Sequence, residues 1–444
     1  MKFAENIFKA YDIRGVSGDE LTAEVAHGVG RALADFLPEG QVTVGRDMRS
    51  DSAELAEALT AGLIQQGRQV LDIGLVSSDM VYFAVGKYNL AGGAMITASH
   101  NPGRYNGIKL TAEGVLPIGQ DSGLGQIQVA LTEDNYQSAK PGGKTIKKDI
   151  TSEWVEHALR IAGPIKPLKV GLDFGNGMAA IDLPLLKQKT PLTIKPLYTE
   201  LDGTFPNHPA NPLVRDNLTD LTRLVADKKL DLGVAFDGDG DRAFLIDETG
   251  EPVPASQLGA LLAWVALQDN PGATVLCNVI TSDIVSDVVH AAGGKAIRTR
   301  VGHSFIKAKM HETGALLAVE HSGHFYFKDN FCADSGLVAA LKAMAIISQS
   351  PKKLSEITEP FKRYADSGEI NIESTDKEAA IQKVKGHYQD GRQDEFDGLT
   401  VRYAGWWFNL RPSNTEPYLR LNVESSSEAL TREKTAELLE LIKA

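Results

Sequence analysis

Leu232-Gly233-Val234-Ala235-Phe236-Asp237-Gly238-Asp239-Gly240-Asp241-Arg242-Ala243-Phe244-Leu245-Ile246 sets three aspartates and an arginine between two short apolar runs. Each run has the length and composition of a buried strand. The stretch therefore reads as strand, acidic loop, strand. Three carboxylates this close repel one another unless a cation sits among them. Their hard oxygens suit Mg²⁺ or Ca²⁺ rather than a soft metal. The glycines let the loop curl so that alternate side chains converge. A solvated acidic turn is the plain alternative. An EF-hand is excluded, because its sixth position must be glycine and is Arg242 here, and because a strand follows in place of an exiting helix. A caged cation beside a guanidinium suits phosphate chemistry, with positive charge meeting phosphoryl oxygens from two sides.

Outward from this stretch, strand-like and helical runs alternate, the pattern of an α/β protein. Val42-Thr43-Val44 precedes a helical 52–66 and the strand-like 70–73. Val170-Gly171-Leu172-Asp173 precedes 183–187 and Thr193-Ile194. Thr274–Asn278 precedes a helical 282–292. Turn-rich or composition breaks divide the 444 residues into four expected units: 1–145, 146–250, 251–365 and 366–444. The last contains a charged helical segment, 374–391, and ends on an amphipathic helix, 427–443. Three times a short apolar strand delivers a polar loop at its carboxyl end: 94–96 to Thr97-Ala98-Ser99-His100-Asn101-Pro102, 233–236 to the aspartates, and 316–319 to Glu320-His321-Ser322-Gly323-His324. Ligands of open α/β sheets bind beyond those ends, so one cleft shared by several units is expected.

Composition narrows the partners. A net charge of −12 argues against nucleic acid and anionic membranes, which select basic faces. Two cysteines, Cys277 and Cys332, form no disulfide framework or zinc pattern and fit a reducing, cytoplasmic setting. The start lacks the apolar core of a signal peptide. The longest apolar stretch, 258–267, is too short to span a bilayer and reads as a buried helix.

The loops carry their own chemistry. Ser99 stands among small and turn-forming residues that expose its hydroxyl. Ser99 and His100 are adjacent and expected to be poorly placed as a nucleophile–base pair. No G-x-S-x-G elbow accompanies them, so acyl transfer is a weak reading. A serine carrying a phosphoryl group is a better companion for a cation loop, since a phosphoserine oxygen could join the metal shell; a plain polar turn is the alternative. Lys109, expected at the start of a strand, could stabilise phosphate charge or simply be solvated. Glu320, Ser322 and His324 offer acceptors and donors for sugar hydroxyls. Arg411-Pro412-Ser413-Asn414-Thr415-Glu416 could ring a phosphate, or form a turn. Arg14 and Gly45-Arg46-Asp47-Met48-Arg49 add cations near the amino terminus, with Arg49 able to pair with Asp51 at the surface. Asp173-Phe174-Gly175-Asn176-Gly177 fits no phosphate-loop pattern and reads as a strand-to-helix turn.

Taken in order, 8–15 (FKAYDIRG), 97–102 (TASHNP) with 106–109, 237–242 (DGDGDR), 320–324 (EHSGH) and 411–417 (RPSNTEP) resemble the α-D-phosphohexomutase superfamily over nearly the whole chain. The resemblance implies four domains around a central cleft, the first three sharing a mixed α/β core and the last a smaller α+β unit. It implies that Ser99 is phosphorylated, and that Asp237, Asp239 and Asp241 with a phosphoserine oxygen of Ser99 bind one Mg²⁺. It implies catalytic roles for Lys109, Arg242, His324, Arg14 and His100. Tyr11, Arg14, Lys109, Arg300, His303, Glu320, Ser322 and His324 would bind the sugar phosphate, and Arg411, Ser413, Asn414 and Thr415 its non-reacting phosphate. The implied reaction passes a phosphoryl group from phosphoserine to a hexose monophosphate, through a hexose 1,6-bisphosphate that also serves as activator. Domain closure would keep water out.

The position of His321 differs among relatives, methionine being frequent in phosphomannomutases and glutamine in phosphoglucosamine mutases. RPSNTEP in place of RPSGTEP points away from the glucosamine branch. Phosphomannomutase is therefore the expectation, with mannose phosphates and also glucose phosphates as substrates, and phosphoglucosamine mutase as the alternative. One departure is Ile280, standing where dual-specificity relatives carry a sugar-contacting lysine; Arg298, Arg300 or His303 would replace it. A Mg²⁺-dependent phosphatase and a non-catalytic sugar-phosphate-binding protein are the rival readings. Monomer and homodimer both remain open.

Overall fold

The computed structural model describes residues 4–374, 376–413 and 418–443. The chain folds into four sheets in sequence order. The first runs from edge to edge as Ile13–Val16, Tyr105–Ala112, Gly92–Ile96, Val42–Arg46, Gln69–Leu75 and Lys144–Lys147. The second runs Pro252–Val253, Ala243–Asp247, Leu232–Phe236, Lys169–Asp173, Thr193–Leu197. The third runs Lys295–Thr299, Thr274–Asn278, Leu317–Val319, Phe325–Phe327, Ala333–Asp334. The fourth is antiparallel throughout and is built on Trp406–Pro412 and Tyr418–Ser425.

The first three sheets share one device. A strand with parallel neighbours ends in a polar loop, and the chain returns as the adjacent antiparallel strand. Ile96 pairs with Ile108, Phe236 with Ala243, and Val319 with Phe325 across the three hairpins. Strands such as Gly92–Ile96 and Leu232–Phe236 are buried along their whole length. That is why they read as unbroken apolar runs rather than alternating ones. Helices cover both faces of the first sheet. Helices Ala23–Phe36 and Ser52–Gln65 cross closely on one side; a Cβ on Gly30 or Gly62 would meet the partner helix's carbonyl oxygens at 2.1 Å.

Two of the expected breaks between units fall within short strands and the third falls in a turn between strands. The 145/146 break lies within Lys144–Lys147, an edge strand of the first sheet. The 250/251 break lies in the turn of a hairpin that still belongs to the second sheet, and 365/366 divides a two-residue strand that pairs with Tyr418–Ser425. One continuous apolar cluster joins the second and third units to one face of the first. The fourth unit keeps a separate core, with Ile372, Val384, Phe408, Leu421 and Leu438. No helix among the described residues is long and apolar enough to cross a membrane.

Asp182, 1% exposed, closes the 3₁₀ turn Met178–Asp182, and burial pushes its carboxyl up to about 8. In the unfolded chain the group ionises near its ordinary value of about 3.9. Between those values the folded state holds a proton the unfolded state has lost, so stability falls as pH rises from about 4 to about 8. Thermal melts at pH 5, 6, 7 and 8 should show a steeper decline for the wild type than for Asp182→Asn. Equal slopes would remove Asp182 as the cause.

Candidate active site

The acidic loop is set by backbone constraints before its charges matter. Gly240 takes φ +78°, a left-handed turn that brings the aspartates round to one side. Gly238 lies against the serine loop so tightly that a Cβ would meet the Ser99 carbonyl oxygen at 2.5 Å. The turn at 173–177 backs the same loop, with the Met178 amide donating to the Gly238 carbonyl at 2.9 Å.

Asp237, Asp239 and Asp241 are at most 1% exposed, and one oxygen from each lies within 4.8 Å of the others. Asp239 Oδ1 and Asp241 Oδ1 have no hydrogen-bond partner among the described residues. Burial and the Asp241 charge push the Asp237 carboxyl up to about 8. Three hard oxygen donors, buried, converging and partly unsatisfied, fit a divalent cation of the Mg²⁺ type. Lys109 partly answers the same charge: its ammonium donates to Asp239 Oδ2 at 2.6 Å and Asp241 Oδ2 at 2.7 Å. It stands in mid-strand in Tyr105–Ala112, not at the strand's start as expected, because the loop ends earlier, at the turn before Tyr105.

Ser99 meets this cage. Its hydroxyl donates to Asp237 Oδ2 at 3.1 Å and accepts from Arg242 Nη2 at 3.3 Å. It also lies 3.1 Å from His100 Nδ1. The expected separation of Ser99 and His100 is therefore wrong. Ser99 adopts φ +52°, a left-handed conformation that turns the two neighbouring side chains to one side. Burial, then the Arg242 and Arg14 charges, hold His100 well below its ordinary pKa. Neutral, its Nδ1 accepts from Arg242 Nη2. Arg242 also donates to Asp237 Oδ2 at 2.9 Å through Nε.

The third loop closes over the cage. Arg242 and His324 form an isolated antiparallel bridge between the second and third units, and His324 Nε2 lies 3.4 Å from Asp241 Oδ1. Burial alone would keep His324 neutral, but Asp241 and Glu320 raise it to about 10. Glu320 accepts from Asn278 Nδ2 at 2.8 Å and the Tyr326 hydroxyl at 2.7 Å. Those bonds and the His324 charge outweigh its burial, and hold it down to about 2. Ser322 Oγ sits 2.9 Å from His324 Nδ1.

The remaining expected residues are distributed around this centre. Arg14 donates to Asn101 Oδ1 at 2.7 Å and pairs with Asp12, so it braces the serine loop. The Tyr11 hydroxyl donates to the Val301 carbonyl at 2.7 Å, and its ring meets His303 edge-on. His303 Nδ1 is buried without a partner among the described residues. Arg300 is exposed, its guanidinium 4.0 Å above the Phe305 ring. Arg298 is engaged by neighbouring groups of its own unit. Its guanidinium donates to the carbonyls of Asn278 and Thr281 and to Asp283, and so fixes the segment that carries buried Ile280. Arg411 is 2% exposed and ion-paired to Glu369 at 2.7 Å; Ser413 donates its amide to the Tyr418 carbonyl at 2.8 Å. Asn414 and Thr415 lie outside the described residues.

Several supporting residues escaped the sequence reading. Arg49 is 3% exposed and does not pair with Asp51 at the surface. It donates to the carbonyls of Ser99, Asn101, Pro102 and Tyr105 at 2.9, 2.6, 3.0 and 2.8 Å. Ser78 Oγ donates to Asp239 Oδ2 at 2.5 Å. Ser77-Ser78-Asp79 follows Gln69–Leu75, so the carboxyl-end rule that found the other loops would have found this one.

Four family models match the chain: phosphoglucomutase/phosphomannomutase alpha/beta/alpha domains I, II and III at residues 5–136, 152–250 and 254–364, and the C-terminal domain at 369–441. A "Phosphohexose mutases" protein of Xanthomonas campestris pv. campestris (strain B100) is 39% identical over 442 residues, covering 98% of this chain and 99% of that one. A phosphomannomutase of Vibrio cholerae is 38% identical over 453 residues, with 98% of each covered. Among solved structures, a phosphoglucomutase/phosphomannomutase family protein from Burkholderia thailandensis superposes with TM-score 0.90 at 31% identity, covering 100% of this chain and 98% of that one. With all four domain models in order and full-length relatives of this identity, the chain belongs to the phosphoglucomutase/phosphomannomutase family and is a phosphohexomutase enzyme.

Proposed function

We propose that this enzyme interconverts mannose 1-phosphate and mannose 6-phosphate, and accepts glucose phosphates as well, through a phosphoserine at Ser99 and a hexose 1,6-bisphosphate. The observation that carries the reading is the Ser99 hydroxyl, 3.1 Å from Asp237 at the mouth of the three-aspartate cage. Asp237, Asp239 and Asp241 would hold Mg²⁺, which neutralises phosphoryl oxygens when bound. Arg242 stands over the Ser99 oxygen and faces charge that develops in transfer. Lys109 and His324 are the proton-handling groups, both in contact with Asp241. Glu320 and Ser322 present oxygens to sugar hydroxyls, with Tyr11, Arg14 and His303 nearby. Arg300, exposed above Phe305, would be a further sugar-phosphate contact. Arg411, Ser413, Asn414 and Thr415 would hold the phosphate that does not react. Two buried free cysteines suit a reducing cytoplasm.

The test is a coupled assay offering mannose 1-phosphate, glucose 1-phosphate and glucosamine 1-phosphate in parallel, with Mg²⁺ and a trace of glucose 1,6-bisphosphate. Turnover is expected on the first two. Preference for the glucosamine compound would overturn the sugar assignment, and release of inorganic phosphate without isomerisation would overturn the transfer. Asp239→Asn should lower Mg²⁺ affinity about 10-fold or more, because one of three anionic donors becomes neutral. A Mg²⁺ titration of activity matching the wild type would remove Asp239 from the cation site.

A further inference from the structure

We infer that Glu369 is an internal competitor for the phosphate that Arg411 receives; the assignment of that phosphate rests on the function proposed above. Strand register sets up the arrangement. Arg411 and Arg420 are directly paired on Trp406–Pro412 and Tyr418–Ser425. Two like charges opposite one another on one sheet face repel, so the pair calls for an anion. Glu369 supplies it. It stands two residues before Asn371, which pairs with Arg420 from the other side. Its carboxylate gives one oxygen to each guanidinium: Oε2 to Arg411 Nη2 at 2.7 Å, Oε1 to Arg420 Nη1 at 3.0 Å. The EHSGH loop closes the group, with His321 Nε2 at 4.0 Å from Oε2.

A phosphate would present two oxygens to two guanidinia in the same way, with more charge. Arg411 Nε remains buried and without an acceptor among the described residues, a donor that Glu369 does not use. The carboxylate therefore fills the anion position incompletely. An arriving phosphate must take Arg411 from Glu369, and the displaced carboxylate stays nearby as a like charge. Glu369 also lies on the connector into the fourth unit, between Ala365–Asp366 and Ile370–Glu373. Its pairing holds the two guanidinia in place while no phosphate is bound, and limits how tightly phosphate binds.

Isothermal titration with inorganic phosphate reads this directly on the full-length protein. Glu369→Gln should tighten phosphate binding on the order of 10-fold, because a competing anion and its repulsion are removed. The KM for the sugar phosphate should fall by a larger factor than kcat. In an Arg411→Ala background the same change should have no effect, which places the competition at that guanidinium. Unchanged or weaker phosphate binding by a variant with wild-type melting would overturn the inference, because Glu369 would then be orienting the arginines for the ligand. Should Glu369→Gln fail to fold, Glu369→Asp withdraws the same charge by one methylene and should tighten binding to a smaller extent; no tightening there is equally fatal. If no sugar phosphate is isomerised yet phosphate binding tightens, the proposed function fails and the competition stands.

Discussion

Ser99→Ala is expected to lower mutase turnover on the order of 10³-fold or more, because it removes the oxygen that would carry the phosphoryl group beside Asp237 and Arg242. The loss should fall on kcat, since the groups that would hold the sugar phosphate lie on other loops. Sugar-phosphate binding measured by calorimetry should persist. Mg²⁺ binding should persist too, weakened by the loss of the phosphoserine oxygen, because the three carboxylates remain. The change also relieves a non-glycine residue at φ +52° of little, since alanine meets the same left-handed strain as serine. Protein stability should therefore move by less than about 1 kcal/mol. Full activity in Ser99→Ala would show that phosphate reaches the sugar by a route without this oxygen. Release of inorganic phosphate at the wild-type rate by the variant would favour the phosphatase reading.

What the sequence made legible follows from how these loops are built. The strand before the aspartates is buried along its length, so its apolar run is continuous, and the loop begins where the run stops. The same contrast marks 97–102 and 320–324. The serine among small residues, the alternating acids and the Glu-x-Ser-x-His spacing each sit within a few residues, and local pattern finds them, although the Ser99 hydroxyl expected to be exposed is buried against Asp237 of the acidic loop. Arg49 shows the limit. Its role depends on four carbonyls that lie 50 to 56 positions away along the chain. Nothing in Gly45-Arg46-Asp47-Met48-Arg49 distinguishes it from Arg46. Glu369 was hidden for the same reason, since its partners at 411 and 420 become neighbours only through strand register. The adjacency of Ser99 and His100 misled because extended backbone sends consecutive side chains apart, while a left-handed residue does not.

Arg46 and Arg49 therefore make a matched test of buried against exposed charge. Arg49→Met leaves the Asp47 carboxylate, 1% exposed, without its guanidinium partner at 3.2 Å. It also strips the donor from the carbonyls of Ser99, Asn101, Pro102 and Tyr105. Breaking a buried ion pair from one side costs about 3–5 kcal/mol, and orphaned carbonyls add to it. Arg46→Met removes a pair with Asp72 at 3.7 Å in which both side chains are about a quarter exposed. Water screens that pair, and its loss should cost less than about 1 kcal/mol. Denaturant titration followed by far-UV circular dichroism should separate the two variants clearly. Arg49→Met should also release the serine loop from its hold on Gly238, so protease cleavage near 97–105 should appear at concentrations that leave Arg46→Met intact. Arg49→Lys should recover little, because one ammonium cannot serve four carbonyls arranged for a planar fork. Equal stability of the two methionine variants would mean that the serine loop keeps its shape by other contacts, and that the buried guanidinium is dispensable to the site.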